Sequence, residues 1–296
     1  MNTATVENKV KQIVSNIRNF PTPPIVFQQI QKVINDPDCT AAKVAAILSE
    51  DPAMSVKVLK LTNSAFYGLA RSIDSIKQAV MIVGNEAIQN LVLSTSVLNM
   101  FKGKGKDSDK EFQESFWRHS VATAYCSRIL AKNVRSRGVV DPDSAFSAGL
   151  LHDIGKMVIF SFLKEKQAIL DDARVVDATS LDYELEDKVL GFNHAQIGGY
   201  LVKQWKLSKK LSDSIIFHHF PQQAESEDPL MYLVYLANYV AKKTFYEEDD
   251  AYKIGTLDNN VVDFMQLTMG DFDKFSETLK EEYFKAETFM QMVGMS

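Results

Sequence analysis

Apolar residues in this chain recur at steps of three and four, and no strict polar/apolar alternation persists long enough to propose a strand. That spacing restricts the fold to an all-α class, because a helix buries a stripe repeating about every 3.6 residues while a half-buried strand needs every second side chain inward. Helix-start signals agree. Asp51-Pro52, Asp141-Pro142 and Asp228-Pro229 each set a capping carboxylate before a proline whose missing N–H costs nothing in a first helical turn.

The periodicity predicts helices over Thr40 to Ser49, Ala53 to Leu61, Ile76 to Val83 and Glu86 to Met100, then over Ser115 to Lys132, Ala145 to Leu151 and Leu230 to Ala241, with Phe264 to Met292 as further helix. Between the two patterned regions, Lys102 to Asp109 combines glycine with like charge and defeats helix propagation. It lacks the strand and the Gly-Lys-Ser/Thr ending of a phosphate loop, so it reads as a linker. The expected organisation is an N-terminal helical subdomain over 1–101, a linker over 102–110 and a second helical domain over 111–296. Asn63 to Gly68 reads as a helix ending in an exposed turn, with a polar and aromatic surface for a partner as the alternative.

The net charge of −5 and the lack of a basic stripe interleaved with aromatics argue against a nucleic-acid partner. The most apolar runs, Met157 to Leu163 and Met231 to Ala241, are too short or too interrupted to span a bilayer, so no membrane association is expected. Two distant cysteines, Cys39 and Cys126, argue against a disulfide framework or a thiolate metal site and fit a reducing cytoplasm.

The chemical signal lies in the histidines. All five, His119, His152, His194, His218 and His219, follow Trp117. His119 shares an inward face with Phe116, Ala122, Cys126 and Ile129; alone it is a hydrogen-bonded core histidine or a ligand. His152 is followed by Asp153, an imidazole and a carboxylate on adjacent residues, a pair suited to iron, manganese or zinc. Neighbours on a helix point about 100° apart, so the two converge only at a helix end or bend, which Gly155 permits. Lys156 has two readings, neutralising a phosphate oxygen on a bound substrate or capping a helix C-terminus. His194 opens a helix continuing through Ile197, Leu201 and Trp205, while Gly198-Gly199 lets a second helix pack closely. His218 shares a face with Leu211 and Ile215, and His219 lies at its edge; a surface histidine pair is the alternative there.

These residues, in this order, resemble the HD superfamily of metal-dependent phosphohydrolases and, more closely, the HDOD family. Phe20-Pro21-Thr22-Pro23-Pro24, Asp51-Pro52-Ala53-Met54, Lys57 to Gly68 and Ile76 to Val80 carry the resemblance in the histidine-free part. Gly191 to Gly198, Trp205 and His218-His219 carry it further on. The resemblance implies an all-helical bacterial signal-transduction module, working with receiver, diguanylate cyclase or similar signalling proteins and usually not shown to be an enzyme. It also implies metal ligation by His119, His152 and Asp153, with His194, His218 and His219 matching the additional ligands of the HD-GYP branch.

Two departures accompany it. Where the superfamily's final aspartate is expected stands Asn238, whose neutral amide binds a cation less well and leaves Asp153 as the one evident central carboxylate. After His218-His219 comes Phe220-Pro221-Gln222-Gln223, not the Gly-Tyr-Pro segment used on cyclic dinucleotides. The expected function is a regulatory module acting through protein partners, with a degenerate His/Asp site that holds a metal or is purely structural. The alternative is a metal-dependent phosphohydrolase in which Asp153 and Lys156 serve catalysis.

Overall fold

The computed structural model describes residues 3–17, 21–64, 66–101, 108–247 and 253–284, and among them there is no strand. The chain forms two compact units, Thr22–Gly103 with Glu281–Ser296, and Met1–Pro21 with Lys104–Lys280. Most of the linker expected over 102–110 lies outside the described residues; helix is already present from Ser108.

The smaller unit contains α2 (Ile25–Ile34), α3 (Ala41–Ser49), α4 (Pro52–Thr62), α5 (Ile76–Val83) and α6 (Asn85–Phe101). Side-chain caps start three of them. Thr40 Oγ1 accepts from Lys43 N at 3.2 Å, Asp51 Oδ1 from Met54 N at 3.0 Å, and Ser75 Oγ from Gln78 N at 3.2 Å. Phe27, Ile30, Leu48, Val58, Leu61 and Ile88 fill the core. The turn after α4 is fastened from inside: the Asn63 amide donates to Ile73 O at 2.8 Å and accepts from Ile73 N at 2.7 Å, while Phe66 is buried. Phe66 therefore serves the fold, and Asn63, though exposed, is tied to Ile73.

The larger unit contains α1 (Thr3–Ser15), α7 (Ser108–Asn133), α8 (Pro142–Leu151), α9 (Ile154–Phe162), α10 (Lys164–Val176), α11 (Asp182–Leu190), α12 (His194–Gln204), α13 (Lys209–Ile216), α14 (Pro229–Phe245), α15 (Asn259–Phe264) and, as far as Lys280, α16 (Met269–Phe284). The remaining Asp-Pro signals are helix starts too. Asp141 accepts from Ser144 N at 2.7 Å and Asp228 from Leu230 N at 3.0 Å. The long α7 packs against α8 and α14, and α12 packs against α9 and α13. Lys9 on α1 donates to Leu190 O at 2.8 Å at the end of α11, and Trp205 Nε1 donates to Pro21 O at 2.9 Å.

Two glycines allow close approaches of backbone to backbone. A Cβ on Gly149 would lie 2.8 Å from Ala124 Cα, so the α7/α8 crossing has no room for one. A Cβ on Gly155 would lie 1.9 Å from His194 O; the absence of that atom lets the start of α9 meet the start of α12. Pro142–Phe162 is long and apolar enough to cross a membrane, a longer stretch than the runs noted from sequence, but it is 83% buried inside the fold. It is a core element interrupted by His152 and Asp153.

At the C-terminal end, the helix expected from Phe264 onward is instead two helices. Gln266 adopts a left-handed φ of +54° between α15 and α16, which stops the first, and α16 begins only at Met269. Phe264 stacks on Tyr232 at 4.2 Å between ring centroids, and Phe272 and Leu279 are buried, so this region packs as part of the fold. The expected continuation to Met292 runs beyond the described residues after Phe284.

Because the Gly155 contact is with backbone that cannot rotate away, Gly155→Ala is expected to lower stability by about 1–3 kcal/mol. Urea denaturation measures this as a lower midpoint with an unchanged slope.

Candidate metal centre

His152 and Asp153 are brought together by a break between helices. His152, at the end of α8, keeps helical angles (φ −53°, ψ −40°), whereas Asp153, ahead of α9, takes φ −98° and ψ 8°, the bridge region used at functional turns. Both side chains then face the same interior. His119 comes from the middle of α7, His194 from the first residue of α12, and His218 and His219 from just beyond α13. Asn193 fixes the start of α12 by a reciprocal cap: its Oδ1 accepts from Gln196 N at 3.2 Å while Gln196 Oε1 accepts from Asn193 N at 3.0 Å.

The carboxylate of Asp153 is the hub. Its Oδ2 lies 3.4 Å from His152 Nε2, 3.8 Å from His119 Nε2 and 3.0 Å from Lys156 Nζ. Its Oδ1 lies 3.0 Å from His194 Nε2 and 3.3 Å from His218 Nε2. His219 Nε2 approaches His194 Nε2 to 2.9 Å. Two donor sets result, His119–His152–Asp153 and Asp153–His194–His218–His219, each with ligand atoms within 4.8 Å of one another. All of these residues are buried except His219, which is half-buried.

The outer ring nitrogens show which lone pairs face inward. His152 Nδ1 meets Gly149 O at 2.7 Å and His218 Nδ1 meets Ile215 O at 2.7 Å. A carbonyl oxygen only accepts, so each Nδ1 carries the proton and each Nε2 presents a lone pair. Those two Nε2 atoms are buried and make no hydrogen bond. Orphaned lone pairs are costly unless something fills them, and two aimed at one carboxylate fit a divalent cation.

Electrostatics agree. Burial pushes His152 down to about 3, and burial likewise lowers His119, His218 and His219, so these rings are neutral. Burial alone would raise the Asp153 carboxyl, but the facing His152, Lys156 and His194 hold it well below the usual carboxylate range. His194 goes the other way. Burial disfavours its charge, yet Glu186 and Asp153 outweigh that and lift it to about 9.

Glu186 on α11 has no counterpart in the sequence reading. It is fully buried, and its Oε2 accepts from His194 Nδ1 at 2.6 Å and from His194 N at 2.7 Å. Asp153 is therefore not alone: a second buried carboxylate acts on the centre through His194. Its signal was available, since Asp182, Glu186 and Leu190 follow one another at four-residue steps and so share a helix face. Asp182 accepts from Lys156 at 3.0 Å, so Lys156 is clamped between two carboxylates and caps no helix terminus.

Beside this cluster lies a cavity of about 880 Å³. Asn238 lines it, buried, with an Oδ1 that makes no hydrogen bond, and Lys242 lines it one turn further along α14. Its far wall is the irregular segment 253–258, held where Lys253 donates to Ser180 O at 3.2 Å and Asp258 N donates to the Tyr235 hydroxyl at 2.8 Å.

The sequence model of the HDOD domain family matches residues 20–221. The chain belongs to the HDOD family. An uncharacterized protein of Treponema pallidum (strain Nichols) is 30% identical over 230 residues, which is 76% of this chain; the chain spans 43% of that relative's length. Among solved structures, an HDOD domain protein of unknown function from Geobacter sulfurreducens aligns with a TM-score of 0.71 at 21% identity, covering 99% of this chain and 97% of that one. A candidate phosphohydrolase from Shewanella amazonensis SB2B aligns at 0.73 and 24%, covering 99% of both. A candidate signal transduction protein from Marinobacter aquaeolei VT8 aligns at 0.78 and 18%, covering all of this chain and 67% of that one. At these identities the likeness is one of fold. The HDOD match ends at residue 221, so Asn238, Lys242 and the 253–258 wall lie beyond it.

Glu186→Gln is expected to bring the His194 pKa down from about 9 toward its ordinary value near 6.5 in metal-free protein, read from the ring-proton shifts in NMR. A raised histidine contributes stability that is complete below about pH 6.5 and is lost as pH rises through about 9. The wild type should therefore lose more stability than Glu186→Gln between pH 6 and pH 10, as measured by urea denaturation.

Proposed function

We propose that this HDOD protein is a regulatory module that holds a divalent metal, iron, manganese or zinc, on its His/Asp cluster and acts through signalling-protein partners, such as receiver or diguanylate cyclase proteins. One observation carries the metal reading: His152, His194 and His218 each have Nδ1 tied to an oxygen acceptor, leaving Nε2 turned to Asp153. Metal-binding imidazoles carry such outer support, and packing alone does not account for the second nitrogen of His152 and of His218, each buried without a hydrogen bond. His119, His152 and Asp153 would hold one ion, with His194, His218 and His219 available around the other carboxylate oxygen. Glu186 offsets part of the charge lost at Asn238 by polarising His194.

The phosphohydrolase reading rests on the cavity, whose volume accommodates a small-molecule ligand beside the cluster. A bound divalent ion would there supply Lewis acidity and a bound water acidified toward a pKa of about 7. Against turnover stand two features of the chain. Asn238 brings no negative charge, and the Lys156 ammonium is already engaged by Asp153 and Asp182.

Elemental analysis of the purified protein is expected to find metal, and His152→Ala or Asp153→Ala should each reduce its retention by at least about tenfold. Bis(p-nitrophenyl)phosphate and common nucleotides should not be hydrolysed with iron or manganese added. Turnover abolished by both substitutions would replace the regulatory reading with the enzymatic one, and wild-type protein that takes up no metal would end the metal reading.

Because His194 keeps its proton until about pH 9, metal uptake must displace that proton. Apparent affinity should accordingly rise between pH 6.5 and pH 8.5, as followed by competition with a chromophoric chelator.

A further inference from the structure

We propose that Lys156 is a built-in counter-cation of the metal centre: its ammonium neutralises Asp153 in metal-free protein, competes with the divalent ion for that carboxylate, and yields it by passing to Asp182. The inference rests on the metal reading above. Lys156 Nζ lies 3.0 Å from Asp153 Oδ2, the same oxygen that faces His152 Nε2 at 3.4 Å and His119 Nε2 at 3.8 Å. The ammonium therefore stands on the carboxylate that completes the first donor set, His119, His152 and Asp153. The helix that carries it does not explain it. Lys156 is the third residue of α9, in the first turn, where a cation opposes the helix dipole.

A second acceptor is already in reach. Asp182 Oδ2 also lies 3.0 Å from Lys156 Nζ, so the ammonium can pass to it without any movement of the backbone. The two carboxylates differ in setting: the Asp153 side chain is 2% exposed and that of Asp182 is 42% exposed. A shift toward Asp182 thus carries positive charge from the interior to the rim, where water screens it. Asp182 is fixed for this from its other side, because Arg174 Nε meets its Oδ1 at 3.3 Å and leaves Oδ2 to Lys156.

The positive charge on Lys156 persists at neutral pH. Burial disfavours it, but Asp153, Asp182 and Glu186 outweigh burial and raise its pKa above the ordinary value. Two cations on one buried carboxylate repel each other in a medium that screens poorly. The divalent ion has the advantage, since it carries twice the charge and is also held by the neutral rings of His119 and His152. Without metal the same ammonium offsets the burial of Asp153, which would otherwise lose its closest cationic partner outside the imidazoles. Lys156 thereby keeps the metal-free centre folded and lowers metal affinity by the work of its own displacement.

The test is binding of zinc and manganese ions to the full chain by competition with a chromophoric chelator, with thermal unfolding of the metal-free protein in parallel. Lys156→Met should bind both ions at least about tenfold more tightly than wild type, because no ammonium has to be displaced. Its metal-free thermal midpoint should fall, because Asp153 has lost that ammonium. Asp182→Asn, at the exposed end of the clamp, should weaken binding by about threefold to tenfold, because the displaced ammonium has lost its second acceptor. In the double variant Lys156→Met/Asp182→Asn the second substitution should lose its effect, leaving affinity within about twofold of Lys156→Met. Equal or weaker binding in Lys156→Met, a metal-free midpoint at or above that of wild type, or additive effects in the double variant each overturn the inference. Should Lys156→Met fail to fold without metal, Asp182→Asn decides, and unchanged or tighter binding there overturns it. All of these outcomes leave the metal reading in place. Wild type that takes up neither ion ends that reading and this inference with it.

Discussion

A single ionised carboxylate, Asp153, sits among five imidazoles and one ammonium in the interior of the larger unit, and the surrounding architecture serves to keep it there. Burying a charge is expensive, and the cations that offset the expense come from separate helices, Lys156 from α9 and His194 from α12, while α7 and the end of α13 bring His119 and His218 against the same carboxylate. Each partner needs its helix to approach within a few ångströms. The close glycine contacts at Gly149 and Gly155 and the reciprocal cap at Asn193 are thus structural conditions of the chemistry.

The centre is organised in layers of hydrogen bonding. Carbonyl oxygens one turn back hold His152 and His218, and a carboxylate eight residues back holds His194. The difference matters. A carbonyl fixes orientation and tautomer, leaving a neutral ring, whereas a buried carboxylate also raises basicity, so His194 alone among the five keeps its proton through neutral pH. The protein thereby combines four neutral imidazoles with one protonated imidazole around the same carboxylate.

Much of the architecture was legible because helix periodicity and capping are local: all three Asp-Pro sites start helices, and Ile76–Val83 has the bounds its pattern gives. Family resemblance put the histidines in one order, and the bend at Asp153 follows from adjacent residues having to converge. What escaped was tertiary. Glu186 looks like any solvated helical acid until α12 packs beside it, and Lys156 reads as a capping lysine until Asp182 arrives from α11. The break at Gln266 was missed because a left-handed glutamine carries no turn signature; glycine or asparagine would have announced it.

Residues that form the centre precede residue 220, while the 253–258 segment that lines the cavity comes from chain outside the family match. Fastening there relies on a lysine to a carbonyl and a tyrosine hydroxyl to a backbone amide, neither of which touches an imidazole. Part of the cavity lining and the His/Asp cluster thus come from separate stretches of polypeptide. Substitutions in 253–258 can change what that part of the cavity wall presents while leaving the imidazoles and Asp153 where they are.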